Sequence, residues 1–273
     1  MGQLPRINER IDSIAGLHDL VGALRAMAGM HLREAQQAFT GTRAYVETVE
    51  RAISAVALLA PMPAEGGDGR RLLLAIGSEH GFVGGFNKEI LQKVKDVLAA
   101  DEELQIVGQR GASRAAEAGL RSATIHPMTS RVGGIAALAR RISAGLAGAA
   151  SVRIAHASYR SGAGFTPTLR VILPLHPDAF VKTDTRLPPL HHLAPARLME
   201  DLAAEYLFAE IANALMQSLA SENAARLRAM EAADRNIGDR LDKLRAEERV
   251  IRQADITSDL LDVVTGAQAV SER

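Results

Sequence analysis

The stretch best suited to chemistry in this 273-residue chain is residues 78–87, SEHGFVGGFN, set between an apolar run and an amphipathic one. A glycine-bearing turn from strand to helix could present backbone amides to a phosphate. The spacing is neither GxGxxG nor the Walker pattern, since Lys88 lacks the glycine context that pattern needs. The expectation is a tight turn in which Gly81, Gly84 and Gly85 fold the strand onto its helix. Eight histidines invite a metal reading, and His191 and His192 lie near His176 in sequence. Adjacent histidines do not share a helix face, no HExxH occurs, and the surrounding prolines predict an exposed loop. His18 and His31 fall on a helical stripe, where a polar residue more often sets register or meets a partner. No serine, histidine and acid arrangement is recognisable, so no catalytic, metal or cofactor-binding residue is assigned.

A denser constellation lies near the C-terminus. Arg226, Arg228, Arg235, Arg240 and Arg245 alternate with Glu222, Glu231, Asp234, Asp239 and Glu247, the pattern of an exposed helix laced with ion pairs. Beyond it, Ile256, Leu260, Leu261, Val263 and Val264 have little left in the chain to bury them. Such a segment either docks into another protein or packs on the chain's own first helix, and the residues alone leave both open.

The elements that must carry these motifs follow from periodicity. After Pro5 no proline occurs before residue 61, and two seven-residue series run through the segment. One is Ile7, Ile14, Val21, Ala28, Ala35, Thr42, Val49, Val56. The other is Leu4, Ile11, His18, Arg25, Leu32, Phe39, Val46, Ile53, interrupted only by His18 and Arg25. A helix that long reaches on the order of 80 Å and needs a long partner. Residues 196–273 supply it: they lack proline, and Met230, Ile237, Leu244 and Ile251 step by sevens beside Leu227 and Leu241. Two such helices at opposite ends of a chain predict an antiparallel coiled coil. Between them, RLLLAIGS, LQIVG, SVRIAHASYR and TLRVILPL read as strands, and EILQKVKDVLAA and ISAGLAGAA as helices. The fold class is α/β, with a small, largely parallel, Rossmann-like sheet between terminal coiled-coil helices. The segments are 1–60, a central domain at 61–195 opened by PMPAEGGDG, and 196–273, reached through a proline-rich connector.

Composition narrows the function classes. Basic and acidic residues balance at 32 each, so no overall excess points to nucleic acid. Cysteine is absent, which removes disulfides, thiolate metal sites and thiol switches. No apolar run approaches the roughly 20 residues that span a bilayer, and the first residues lack a secretion signal's apolar centre, so a soluble, cytoplasmic chain is expected.

The chain resembles the γ subunit of F-type rotary ATP synthases. The match rests on Ala220, Ser221, Glu222, Asn223, Ala225, Arg226, Ala229, Met230 and Asn236, then Arg252, Gln253, Ile256, Thr257, Asp259, Gly266 and Ala267, in order. Ile7, Arg10, Ile11, Ser13, Ile14, Leu32, Arg33, Ala35 and Gln36 match more loosely, and SEHGFVGGFN looks like the family's acidic, glycine-rich segment. The resemblance implies a non-catalytic shaft inside a hexamer of catalytic and non-catalytic subunits. Its other implied partners are an ε subunit and the membrane c-ring, and its place is peripheral, at the cytoplasmic face of the inner membrane. It implies partner contacts at Arg252, Gln253, Thr257 and Asp259, and at Arg10, Arg25 and Arg33 toward acidic loops. Where the family carries a polar and basic pair, this chain has Met30 and His31, the mark of a divergent or alternative-type member. A coiled-coil interaction protein outside any ATPase is the alternative, and a nucleotide-binding enzyme built on the glycine turn a third reading.

Overall fold

The computed structural model describes residues 3–60, 69–160, 164–175, 180 and 190–271. Helix α1 runs Gln3–Val56 and helix α5 runs Pro195–Ser271. Between them come β1 (Arg71–Ile76), α2 (Phe86–Val97), β2 (Glu102–Val107), α3 (Gln109–Glu117), β3 (Thr124–His126), a 3-10 turn (Val132–Gly134), α4 (Ile135–Leu146), β4 (Ser151–Arg160) and β5 (Gly164–Leu173). The chain divides into two compact units: residues 1–27 with 228–273, and residues 28–227. Both long helices contribute to each unit.

In the larger unit the strand order is β3-β2-β1-β4-β5. β1 pairs in parallel with β2 and β4, β2 in parallel with β3, and β5 closes the edge antiparallel to β4. The largely parallel sheet expected from strands alternating with helices is thus present. RLLLAI is apolar throughout because β1 is central and covered on both faces. Leu72, Leu74 and Ile76 face a core completed by Ile142 and Leu146 of α4, Val49 and Ile53 of α1, and Ile211 and Leu215 of α5. Leu73 and Ala75 point the other way, onto Leu91 and Val94 of α2 and Ala112 and Ala115 of α3. The long helices therefore form one of the two layers that make the sheet stable, and their inner halves are part of its core.

The heptad series accounts for burial along α1. Ile7, Val21, Ala28, Ala35, Val49 and Val56 are buried, and Ile14 and Thr42 are half-buried. Glycines 16, 22 and 41 sit within the helix with open space where a side chain would project.

Several elements differ from expectation. The helix predicted over 142–150 occupies Ile135–Leu146, where Ile135, Leu138, Ile142 and Leu146 make a buried stripe and Gly148, at φ +77°, follows its end. β5 begins at Gly164, four residues before the predicted strand. α3 and β3 went unread, being an alanine-bearing helix of nine residues and a largely exposed edge strand of three. The loop at 61–68 and most of the connector, with His176, lie outside the described residues.

Leu74→Ala, in the middle of β1, should cost about 2–5 kcal/mol by transfer and cavity terms together, measured by urea denaturation. An unchanged midpoint would mean that this face of the sheet is not the packed centre of the domain.

Candidate functional site

The turn after β1 is built by backbone crossings at glycines the sequence reading did not single out. A Cβ on Gly77 would lie 2.8 Å from Gly111 Cα, and one on Gly108, at φ +97°, 2.5 Å from the Ser78 carbonyl oxygen. Only glycine fits there, because the β1 and β2 crossovers touch. Gly77 N donates to Val107 O at 2.9 Å, and Gly111 N to Ser78 O at 3.0 Å. The turn then closes on itself: Ser78 N donates to Asn87 Oδ1 at 2.9 Å, and Asn87 Nδ2 to Ser78 Oγ at 2.8 Å. Of the three glycines expected to shape the turn, only Gly84 has positive φ, and the other left-handed residue is Phe82 at φ +61°. Glu79 braces neighbouring loops by accepting from Met128 N at 2.8 Å and Gln109 N at 3.1 Å.

This turn docks on the ASEN segment of α5. Ser221 Oγ donates to Ala157 O of β4 at 3.2 Å, and Ala157 N donates to Ser218 Oγ at 3.3 Å, so two serines stitch helix to strand. Asn223 Nδ2 caps the Leu219 carbonyl at 2.9 Å. Arg226 Nε reaches Gly81 O at 3.3 Å, and its Nη2 holds buried Glu222 at 2.6 Å. Burial pushes the Glu222 carboxyl above its ordinary value, against the pull of Arg226. Phe86 and Phe165, with ring centroids 5.0 Å apart, seal the joint with Val83, Ile90 and Ala225. The expected solvated, ion-paired face of α5 is therefore interrupted here, where Glu222 and Arg226 belong to a buried junction.

A second polar cluster ties α1, β5 and α5 within the same unit. Arg170 Nη2 lies 2.6 Å from buried Glu210 Oε1, a charge contact that leaves this oxygen without a directed hydrogen bond, and 3.3 Å from Glu50 Oε1. Two carboxylates thus share one guanidinium. Burial, then Glu50, push Glu210 up to about 7 despite Arg170, and burial pushes Tyr206 up to about 12. His156 beside them is driven down to about 4, by burial first and then by Arg170.

In the smaller unit, the two interruptions of the α1 seam converge. Arg25 Nη1 is 2.5 Å and His18 Nε2 is 3.2 Å from the same Asp234. A lone polar cluster in an apolar seam fixes which heptads pair, because any slip would separate its charges. This pairing sets the start of α1 opposite about residue 252 of α5. Past that point, roughly 20 residues, or about 30 Å of helix, continue. Ile256, Leu260 and Val263 are accordingly 53%, 61% and 69% exposed, which decides against the first helix as their cover.

The residues expected to bind partners fall into two groups. Arg252, Gln253, Thr257 and Asp259 lie together on this exposed stretch of α5. There Arg252 pairs with Glu248, and the Thr257 hydroxyl donates to the Gln253 carbonyl at 2.8 Å. Arg10 and Arg33 are exposed on α1, whereas Arg25 is engaged by Asp234. Among the described residues no His, Asp and Glu cluster suited to a metal ion occurs, and no helix is long and apolar enough to cross a membrane.

A five-stranded α/β sheet covered on one face by parts of two very long terminal helices, with polar residues used for bracing, defines a coiled-coil α/β protein. The ATP synthase family profile matches residues 3–270. The ATP synthase gamma chain of Ruegeria sp. (strain TM1040) is 30% identical, over 99% of this chain and 100% of that one. That of Fuscovulum blasticum is 28% identical over the same shares. Among solved structures, a chain of the Euglena gracilis mitochondrial ATP synthase (OSCP/F1/c-ring, rotational state 3) superposes with a TM-score of 0.70 at 16% identity, covering 98% of this chain and 94% of its own. A chain of the Tetrahymena thermophila mitochondrial central stalk and c-ring gives 0.56 at 22% identity, covering 78% and 99%, a likeness of fold. The chain belongs to the ATP synthase gamma-chain family.

Two outcomes test the site. Arg226→Ala strands the buried Glu222 carboxylate and should cost about 3–5 kcal/mol in urea denaturation, whereas Arg228→Ala, on an exposed position, should cost little. Because the Glu210 carboxyl is raised from 4.5 to about 7, its ionisation opposes folding. Its contribution is intact below pH 4.5 and lost as pH climbs to about 7, up to roughly 3 kcal/mol. Glu210→Gln should therefore flatten stability over that window; a variant with the same pH slope as the parent would show that Glu210 does not titrate there.

Proposed function

We propose that this chain is the non-catalytic central rotor shaft of an F-type ATP synthase. It couples ion movement through a membrane ring to ATP synthesis or hydrolysis in a surrounding hexamer. The observation that carries this reading is the helical segment of α5 beyond about residue 252, which presents an exposed apolar stripe of Ile256, Leu260, Leu261, Val263 and Val264 with no cover from α1. An apolar stripe left open to water beside a polar one of Arg252, Asp255 and Asp259 is the pattern of a helix that docks against other subunits, and a surrounding ring supplies that cover.

In this role the work divides among segments. Residues 1–60 and 196–273 provide the coiled shaft, and 61–195 the domain that meets the ε subunit and c-ring. Arg252, Gln253, Thr257 and Asp259 bear on the surrounding subunits near the tip, with Arg10 and Arg33 as further contacts toward acidic loops. Arg25 serves there only by giving up Asp234, so its first role is internal. The shaft acts by asymmetry: each surrounding subunit meets a different face of it, and rotation biases their nucleotide affinities in turn. Torque requires that the shaft not turn within its own domain, and the Ser218, Ser221 and Arg226 junction supplies that resistance for the part of α5 packed on the sheet. The complex is membrane-associated, with this chain peripheral at the cytoplasmic face.

The test is co-expression with the hexamer subunits of the same source, followed by purification and an ATPase assay. One copy of the chain per active hexamer is expected; a stable chain that never joins the ring would refute the reading. Ending the chain after Arg249 should lower coupled activity or assembly, and full coupling by that truncated chain would remove the bearing role from the α5 tip.

A further inference from the structure

A groove between α2 and α3, on the sheet face away from the long helices, is lined by cations that nothing in the rotor role uses. Its cavity measures about 620 Å³, within the range of small-molecule sites. Lys88 and Lys95 line it from α2, and Arg110 and Arg114 from α3. On each helix the lining positions repeat at i, i+4 and i+7, so the two rows face the same channel. Glu117 is the one acid in the lining, and it is taken by Arg114 at 2.7 Å. Lys88, Lys95 and Arg110 make no ion pair among the described residues. Three uncompensated positive charges therefore share one concave surface of a chain whose total charge is zero. Phe82, 69% exposed, belongs to the same lining.

We infer that this groove binds a polyphosphate anion, with its phosphates on Lys88, Lys95 and Arg110. Several cations along two facing rows suit a chain of phosphates better than one carboxylate, because each phosphate carries charge and several acceptor oxygens. Phe82 offers a flat apolar surface on which a nucleobase stacks if the phosphates belong to a nucleotide. The site is independent of the rotor reading, since it lies entirely within α2, α3 and the turn before α2.

The full-length chain is titrated by calorimetry with tripolyphosphate and with ATP, both free of metal, at low ionic strength. Saturable one-to-one binding is expected, weakened about tenfold or more by the double substitution Lys88→Ala with Arg110→Ala. Arg121→Ala with Arg131→Ala, a charge-matched change outside the groove, should leave it within about twofold. Lys88→Arg should retain binding, and circular dichroism confirms that each variant is folded, since all these side chains are exposed. Equal affinity for the two ligands supports a free polyphosphate as the source. ATP binding about fivefold tighter, with the difference lost in Phe82→Ala, supports a nucleotide. Absence of saturable binding to either, or an equal loss in the charge-matched control, overturns the site.

Discussion

The structure depends on how closely α5 can approach β4. Ser218 and Ser221 exchange hydrogen bonds with the two backbone groups of Ala157, and the alanines around them keep the helix near the strand. That proximity puts Ile211 and Leu215 over the centre of the sheet and brings Arg226 within reach of the turn after β1. A larger residue at Ser221 or Ala225 would push the helix away and open the core on one side of the sheet. The long helices are thus not appendages attached to a finished domain. Their inner halves are a layer of it, and the domain is incomplete without them.

Buried charge follows the same economy of contact. Arg170 joins β5 to Glu210 of α5 and Glu50 of α1, and Arg226, paired with Glu222 one turn earlier on α5, reaches across to the Gly81 carbonyl. In each cluster a buried carboxylate carries a desolvation penalty that its arginine helps to offset. Pairs of this kind add little net stability but make misregistered packing costly, because a shift strands a charge. The half-exposed Asp234 cluster carries less desolvation, but it marks one register in the smaller unit, where an apolar heptad seam alone would tolerate a slip of seven residues. For a part that transmits torque, a fixed register matters more than the last few kcal/mol of stability.

The sequence was legible wherever periodicity was long. Two heptad series gave α1 nearly to its ends, the proline-free stretch gave α5, and the apolar runs gave β1, β2 and β4. Short or exposed elements were not legible, because three residues of β3 or nine of α3 offer too few periods to stand out. The SEHGFVGGFN turn was visible as a turn, but the glycines under the greatest constraint, Gly77, Gly108 and Gly111, lie outside it and are constrained by one another and by the Ser78 backbone, a contact between crossovers that local sequence does not display.

The sequence by itself determined the helices, the class of the sheet and the family, since these follow from local spacing and from ordered motifs. His18 and Arg25 were visible as breaks in a seam, and Asp234 as one acid among many on a charged helix. Only the tertiary structure joined the three, because antiparallel pairing brings together residues more than two hundred positions apart. Likewise, sequence left the apolar tip of α5 with two possible covers. The register fixed by Asp234 decided between them, for the start of α1 meets α5 well short of that tip.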